Sequence, residues 1–500
     1  MSLTRTQSKA SAADLAGAAA TPVPRVHVVT FGCQMNKYDS LLAEGRFRRA
    51  GWATAERIDE ADVVLFNTCS VREHAEERTY SWLGELKRAK QENPALVIGV
   101  MGCMAQRVGA EIFARAGHVD IVAGTRQFAN LPRLVDEVRS ARARVLEQGG
   151  QRAEGRTARS DPRARILALE MDDAVAVDRS DEPSDENADG GLHAYLTVMR
   201  GCDLNCTYCI VPTVRGRVMS YPIEALVAEA RHFVERGARV ITLLGQTVNS
   251  YGEDAPAPGP GEPRLRGRQG RPSLADLLYR LQEVRDLDRI RLITLHPSYV
   301  TSALCEAMRD CDKVDRFLPL PAQSGSDAVL RAMKRGYTTD LYRRRTDMLR
   351  AAVPDIELGS DWIVGFPGES DADFDASERF LAEQGFAVNY VFKYDPRPTT
   401  HAAEKLADDV PEDVKKARNQ RLLAKSEEIG LARHGAHVGS VRRTFVESTS
   451  DRTEGVLVGR TTHNLLVSFP GDAVLVGRTV DVRIEGASAF GLSGTFVEPA

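Results

Sequence analysis

No apolar run in this sequence approaches the roughly 18 residues that a membrane-spanning helix requires, so no membrane association is expected. Cysteine is scarce, at eight in 500 residues, which excludes a disulfide-stapled scaffold. Excess positive charge is missing too. The formal net charge is −4, so no global basic field announces a histone-like nucleic-acid binder, and any RNA contact has to come from a local basic face. The first 24 residues lack the basic start and apolar core of a signal peptide and read as a disordered tail of a cytoplasmic protein. What remains is ordinary globular composition, 43% hydrophobic and 27% charged. At roughly 150 residues per domain, the length predicts about three domains.

Two stretches of low apolar content divide the chain. One runs from Arg139 to Arg165; the other, Asp172 to Asp189, contains "SDEPSDENADGG". Opposed charge blocks with few large apolar residues bury too little surface to offset chain entropy, so 138–189 is read as a linker. A further stretch, Gly252 to Pro272, reads as a loop inserted into a domain. The expected domains are 25–137, 190–430 and 434–498.

The first block repeats one idea. "VHVVTFGC", "ADVVLFNTC" and "LVIGVMGC" are short β-branched runs, each ending at a cysteine and followed by a helical pattern. Alternating buried strands and helices predict an α/β domain with a parallel sheet. Cys33, Cys69 and Cys103, 36 and 34 residues apart, then lie just past strand carboxyl ends. Those ends share one edge, where such sheets bind ligands. A single cysteine there reads as buried structure; three at equivalent points suggest convergence.

The second block has six strand-like runs: "YLTVMRGC", "ARVITLLGQ", "RIRLITLHP", "RFLPLPAQSGS", "DWIVGFPGE" and "NYVFKYDPRP". Helical segments separate them, predicting a partial (β/α)6 barrel whose function gathers after the strands. Cys202, Gln246, Asn249, His296, Gln323, Ser324 and Arg397 all follow strands. The third block has short runs broken by Gly, Asn and Thr, predicting a small all-β barrel. Counting Arg433 at its border, it has seven Arg, no Lys and seven acidic residues, so composition fits a structural cap and an RNA-binding module alike. Cys305 and Cys311, six apart on a predicted helix, read as ordinary packed thiols on different faces.

Cys202, Cys206 and Cys209 are spaced CxxxCxxC, with no fourth cysteine. Thiolates suit zinc, copper(I) and iron–sulfur clusters. Three of them on a 4Fe-4S cube leave one iron open to a small molecule. A zinc reading would need His193 as the fourth ligand.

This loop, at the start of a (β/α) pattern and with Tyr208 before its last cysteine, resembles the radical S-adenosylmethionine enzymes. "FGCQMNKYDS", "NTCSVREHAEER" and "GCMAQR" resemble the amino-terminal domain of the methylthiotransferase family within that group. "GCDLNCTYCIVP", "LLGQTVNSYG", "QSGSDAVLRAMKRGYT" and "DWIVGFPGES" resemble its radical domain, and the final block resembles its TRAM barrel. "FGCQMN" and "NTCSVRE" are most similar to the branch acting on N(6)-dimethylallyladenosine.

The resemblance implies two 4Fe-4S clusters. Cys202, Cys206 and Cys209 would hold the radical-generating one, and Cys33, Cys69 and Cys103 a second that carries sulfur. It implies two molecules of S-adenosylmethionine per turnover, with Gln246 and Asn249 placed to contact that cofactor. It also implies methylthiolation at carbon 2 of the adenosine beside the anticodon. The partners implied are a tRNA anticodon stem-loop and an electron donor such as flavodoxin or ferredoxin; a monomer is expected. The same chemistry on threonylcarbamoyl-adenosine or on a ribosomal protein is the alternative, and a non-catalytic iron–sulfur RNA-binding protein is a further one.

Gly365, Phe366, Pro367 and Gly368 read as a tight turn, and Lys393 and Arg397 as phosphate contacts or solvated charges. The sequence departs from the family pattern at several places. The family generally has Asn at Thr247, Tyr-Thr at Thr213 and Val214, Glu at Val218 and Arg at Tyr221. It often has His at Pro319, and Gly-Thr-Pro at Thr399, Thr400 and His401.

Overall fold

The computed structural model describes residues 23–70, 73–148, 165–171, 188–189 and 191–498. The amino-terminal tail up to residue 22 and most of the expected linker lie outside the described residues.

Six strands form the first sheet: β1 Arg25–Phe31, β2 Ala53–Thr54, β3 Val63–Thr68, β4 Val97–Met101, β5 Ile121–Ala123 and β6 Ile166–Ala168. Their order is β2-β1-β3-β4-β5-β6, and every pairing is parallel. β3 and β4 are buried along their whole length because helices cover both faces, which is why their sequences run apolar without alternation. Two apolar layers result, one on each side of the sheet.

The expected linker needs correction at both of its described ends. The helix Leu131–Gln148 runs past residue 137, and Ile166–Ala168 adds to β5 as an edge strand. Three residues are too few to show a period in sequence, and flanking charges hid them.

The second block is an open barrel. After β7 Ala188–Asp189 come β8 His193–Thr197, β9 Met199–Arg200, β10 Met219–Ser220, β11 Val240–Leu244, β12 Arg289–Leu292, β13 Phe317–Pro319, β14 Glu357–Val364 and β15 Val388–Lys393. β8, β11 and β12 pair in parallel, as do β13, β14 and β15. A parallel bridge between Ile290 and Val314 joins the two sets. One large apolar layer lies between these strands and the outer helices, and it includes Leu196, Leu243, Leu318 and Trp362. Cys305 and Cys311 are both buried in that layer.

The third block is a closed barrel of β16 Val441–Thr449, β17 Val456–Thr461, β18 Leu466–Pro470, β19 Thr479–Ser488 and β20 Gly491–Phe496, ordered β16-β17-β18-β20-β19. Closure removes free strand edges. A 24-residue helix, Glu412–Gly435, lies along β15 and leads into the barrel. The barrel docks on the amino-terminal ends of the radical-block strands. Arg316 N donates to Thr462 O at 2.7 Å, Arg291 pairs with Glu447 at 2.6 Å, and His463 meets Asp355 at 3.2 Å.

Candidate functional site

Strand register builds the first thiol group. Phe31 is level with Thr68, and Asn67 with Met101. Cys33, Cys69 and Cys103 therefore leave three neighbouring strands, spaced roughly 4.8 Å apart, at one edge. Cys33 caps the helix Gln34–Arg49, and Cys103 opens the helix Cys103–Val108. The approach is close enough to require glycine. A Cβ on Gly32 would lie 2.5 Å from Asn36 Oδ1 and 3.0 Å from Cys69 Cβ. Gly102, at φ +90°, would press into Asn67. A buried amide pair fixes the loops, with Asn36 Nδ2 donating to Asn67 Oδ1 at 3.0 Å and Asn67 Nδ2 to Asn36 O at 2.7 Å.

The radical block completes this site. Arg215, at the end of the helix Val211–Arg215, reaches Asp39 Oδ2 at 2.7 Å, and Arg200 reaches Asp39 Oδ1 at 3.2 Å. All three side chains are buried. A hydrogen bond with Cys69 lowers the Cys33 thiol to about 5; the Arg215 charge and the helix N–H groups of Asn36 and Met35 help. Burial raises Cys103, and Arg215 opposes that rise. Thr125 Oγ1 donates to Val214 O at 2.6 Å, tying the first block to the same helix.

The second trio sits in the loop after β9. Cys202 Sγ lies 3.4 Å from Thr247 Oγ1, and Arg335 donates to Cys206 Sγ at 3.3 Å. Burial raises Cys202 and pushes Cys209 up to about 12. Arg335 itself is buried, its Nε donating to Tyr337 OH at 3.3 Å. Tyr208 stacks edge-on to Phe366 at 6.4 Å, and Phe366 to Tyr394 at 5.1 Å.

The other sequence candidates separate. Gln246 has a buried Oε1 without a hydrogen-bond partner, an acceptor open to a ligand. Asn249 uses its amide on the backbone of His296, at 2.8 and 2.9 Å, and so holds the two strand-end loops together. Burial and the nearby Arg335 charge lower His296 to about 2, so its ring is neutral. Gln323 and Ser324 are buried, with Ser324 Oγ 3.1 Å from Ser377 Oγ. Gly365, at φ +71°, packs on Lys415 and shapes the turn. Lys393 pairs with Glu412, and Arg397 with Asp395 at 2.6 Å. His193 starts β8, at the end away from Cys202, and bonds Thr242 Oγ1 at 2.8 Å, so the zinc reading loses its fourth ligand. Sequence reasoning missed Asp39, Arg200, Arg215 and Arg335. Their only sequence signal was that they stand inside or next to the quoted cysteine and glycine motifs.

Three separate families match along the chain. "Uncharacterized protein family UPF0004" covers residues 25–124, the radical SAM superfamily 196–381 and the TRAM domain 435–497. The chain is 40% identical over 463 residues to the tRNA-2-methylthio-N(6)-dimethylallyladenosine synthase of Syntrophotalea carbinolica, covering 92% of this chain and 96% of that protein. For the enzyme so named from Stutzerimonas stutzeri the identity is 39%, covering 95% and 99%. The chain belongs to this synthase family. The fold likeness extends further, to a radical S-adenosylmethionine methyltransferase, TsrM, from Kitasatospora setae. That match has TM-score 0.52 at 15% identity and covers 76% of this chain and 77% of that one.

A family member of this kind takes a 4Fe-4S cluster and S-adenosylmethionine. The thiols suit such a group. All eight cysteines are free of disulfides, and four of the six in the two trios are buried. Buried thiols with raised pKa values favour the neutral form, so a thiolate set there needs a bound cation to balance it. None of the described helices is long and apolar enough to cross a membrane.

Proposed function

We propose that this protein attaches a methylthio group to carbon 2 of N(6)-dimethylallyladenosine next to the anticodon in tRNA. The observation that supports this reading is that the two blocks bearing the thiol trios dock through the buried Asp39–Arg200–Arg215 contact. Cys202, Cys206 and Cys209 hold the radical-generating cluster, and Cys33, Cys69 and Cys103 a second one. When bound, these groups with two molecules of S-adenosylmethionine supply a carbon radical and a methylated sulfur, which an unactivated aromatic C–H needs because it offers no acidic proton to acid–base catalysis.

The chain's own residues orient and insulate. Arg335 donates to Cys206 and sets a positive charge beside it. Thr247 contacts Cys202, and Gln246 offers its open acceptor to the cofactor. Asn249 holds the loop that carries His296. Arg215 sets positive charge against Cys33 and Cys103. The barrel Val441–Phe496 grips RNA, and a flavodoxin- or ferredoxin-like protein delivers electrons to a monomeric enzyme.

Anaerobic reconstitution followed by iron and sulfide counting tests the cofactor assignment; about eight irons per chain is expected. Mass spectrometry of tRNA nucleosides from a deletion strain tests the substrate. Loss of the methylthio group from threonylcarbamoyl-adenosine or from a ribosomal protein, with dimethylallyladenosine unaffected, would overturn the assignment.

A further inference from the structure

The last strand of the open barrel, β15, presents two large rings to solvent. Tyr390 is 59% exposed and Phe392 54%. In the parallel register with β14, Tyr390 is level with Asp361 and Phe392 with Ile363, so these four side chains share a face. The opposite face holds Trp362, whose ring packs against Phe380 and Phe386 of the outer layer at 6.4 and 5.9 Å. Tyr390 and Phe392 therefore point into the open barrel.

Across that interior, Tyr195 of β8 is also on the inner face and packs in the cluster that includes Cys33 and Tyr38. Just past the end of β15, Tyr394 touches Phe366, and Phe366 touches Tyr208 beside Cys209. The backbone closes the same circuit, with Ala402 N donating to Thr207 O at 2.7 Å. The inner face thus carries aromatic side chains near Cys33 at one place and beside Cys209 at another. Exposed apolar surface of this kind marks a binding site. β15 is the last strand of its sheet, and the helix Glu412–Gly435 packs along it, with Asn419 Nδ2 donating to Val391 O at 3.0 Å, so the two rings are reached from the inner face.

We infer that Tyr390 and Phe392 form a stacking wall for the substrate's flipped adenine and its alkyl group. The inference rests on the tRNA reading above. A base taken out of a single-stranded loop loses its neighbours, and aromatic faces replace them. Aromatic rings also suit an alkylated purine, which has more apolar surface than an unmodified base.

The test compares two synthetic anticodon stem-loops, one carrying N(6)-dimethylallyladenosine at the target position and one abasic there. Binding is measured on the full-length holoprotein at fixed salt. The wild type is expected to prefer the base-bearing RNA. The double variant Tyr390→Ala, Phe392→Ala should lose that preference by roughly 5- to 150-fold per stacked contact, with affinity for the abasic RNA unchanged. The exchange Tyr390→Phe, Phe392→Tyr should restore it, and Tyr390→Leu, Phe392→Leu should restore it only in part. An alanine double variant that discriminates as well as wild type overturns the stacking wall alone. A wild type that binds both RNAs equally overturns the wall and the tRNA reading together.

Discussion

Thr399 shows how a single position carries strain. Its φ of +70° lies in the left-handed region, which a β-branched side chain avoids. Thr399→Gly should stabilise the protein by about 1 kcal/mol, the relief of strain outweighing glycine's extra unfolded-state entropy. A urea titration with unchanged slope would show it. Arg215 is the opposite case, a buried cation already matched by Asp39. Arg215→Met leaves that carboxylate with Arg200 alone and should cost about 3 kcal/mol. Pairing it with Asp39→Asn should recover much of the loss in a double-mutant cycle, and an additive result would show that the two do not interact. Neither Asp39 nor Arg215 was legible as functional from sequence. They stand 176 residues apart, and only the docking of two blocks brings them together. The cysteines were legible because their spacing and strand-end positions are local.

Elements obey local rules more openly. The helix Asp371–Gln384 starts at a reciprocal cap, with Ser370 Oγ accepting from Asp373 N and the Asp373 carboxylate accepting from Ser370 N. Ser370→Ala should cost about 1 kcal/mol in thermal unfolding. The helix Glu412–Gly435 is anchored near its end by Glu357 of β14, which accepts from Arg433 at 2.9 Å and lies 3.4 Å from His437 Nε2. Burial alone would raise the Glu357 carboxyl, but the bonds from His437 and Arg433 hold it below its ordinary range. Its contribution is then complete above the unfolded value, near 4.3, and is lost as pH falls through the lower folded value. Glu357→Gln should destabilise by about 1–2 kcal/mol at pH 7, and the difference from wild type should shrink progressively as pH falls below about 4, read as urea midpoints. Alternating strand and helix patterns revealed the parallel sheet and six-strand barrel in advance. They did not reveal β6, whose three residues pair through backbone groups that leave no side-chain period.

At the scale of the whole molecule, the small barrel and the cysteines occupy opposite ends of the same strands. The barrel contacts Arg291, Arg316 and Asp355 at the amino-terminal side, while Cys202 follows a carboxyl end. β14 has eight residues, so an RNA touching both ends spans roughly 26 Å. A stem-loop shortened to its loop should therefore bind more weakly and with a shallower salt dependence than the full anticodon arm, measured by titration at several salt concentrations. Equal slopes would place the RNA on one end alone. The order of synthesis gives the charge contact between blocks a further meaning. Asp39 leaves the ribosome 161 residues before Arg200, the first cation that answers it. Until then the nascent first block holds Asp39 without either guanidinium of this contact. A translation product that ends before Arg200 therefore lacks both cations of this contact, and the docking of the two blocks has to wait for the segment that carries them.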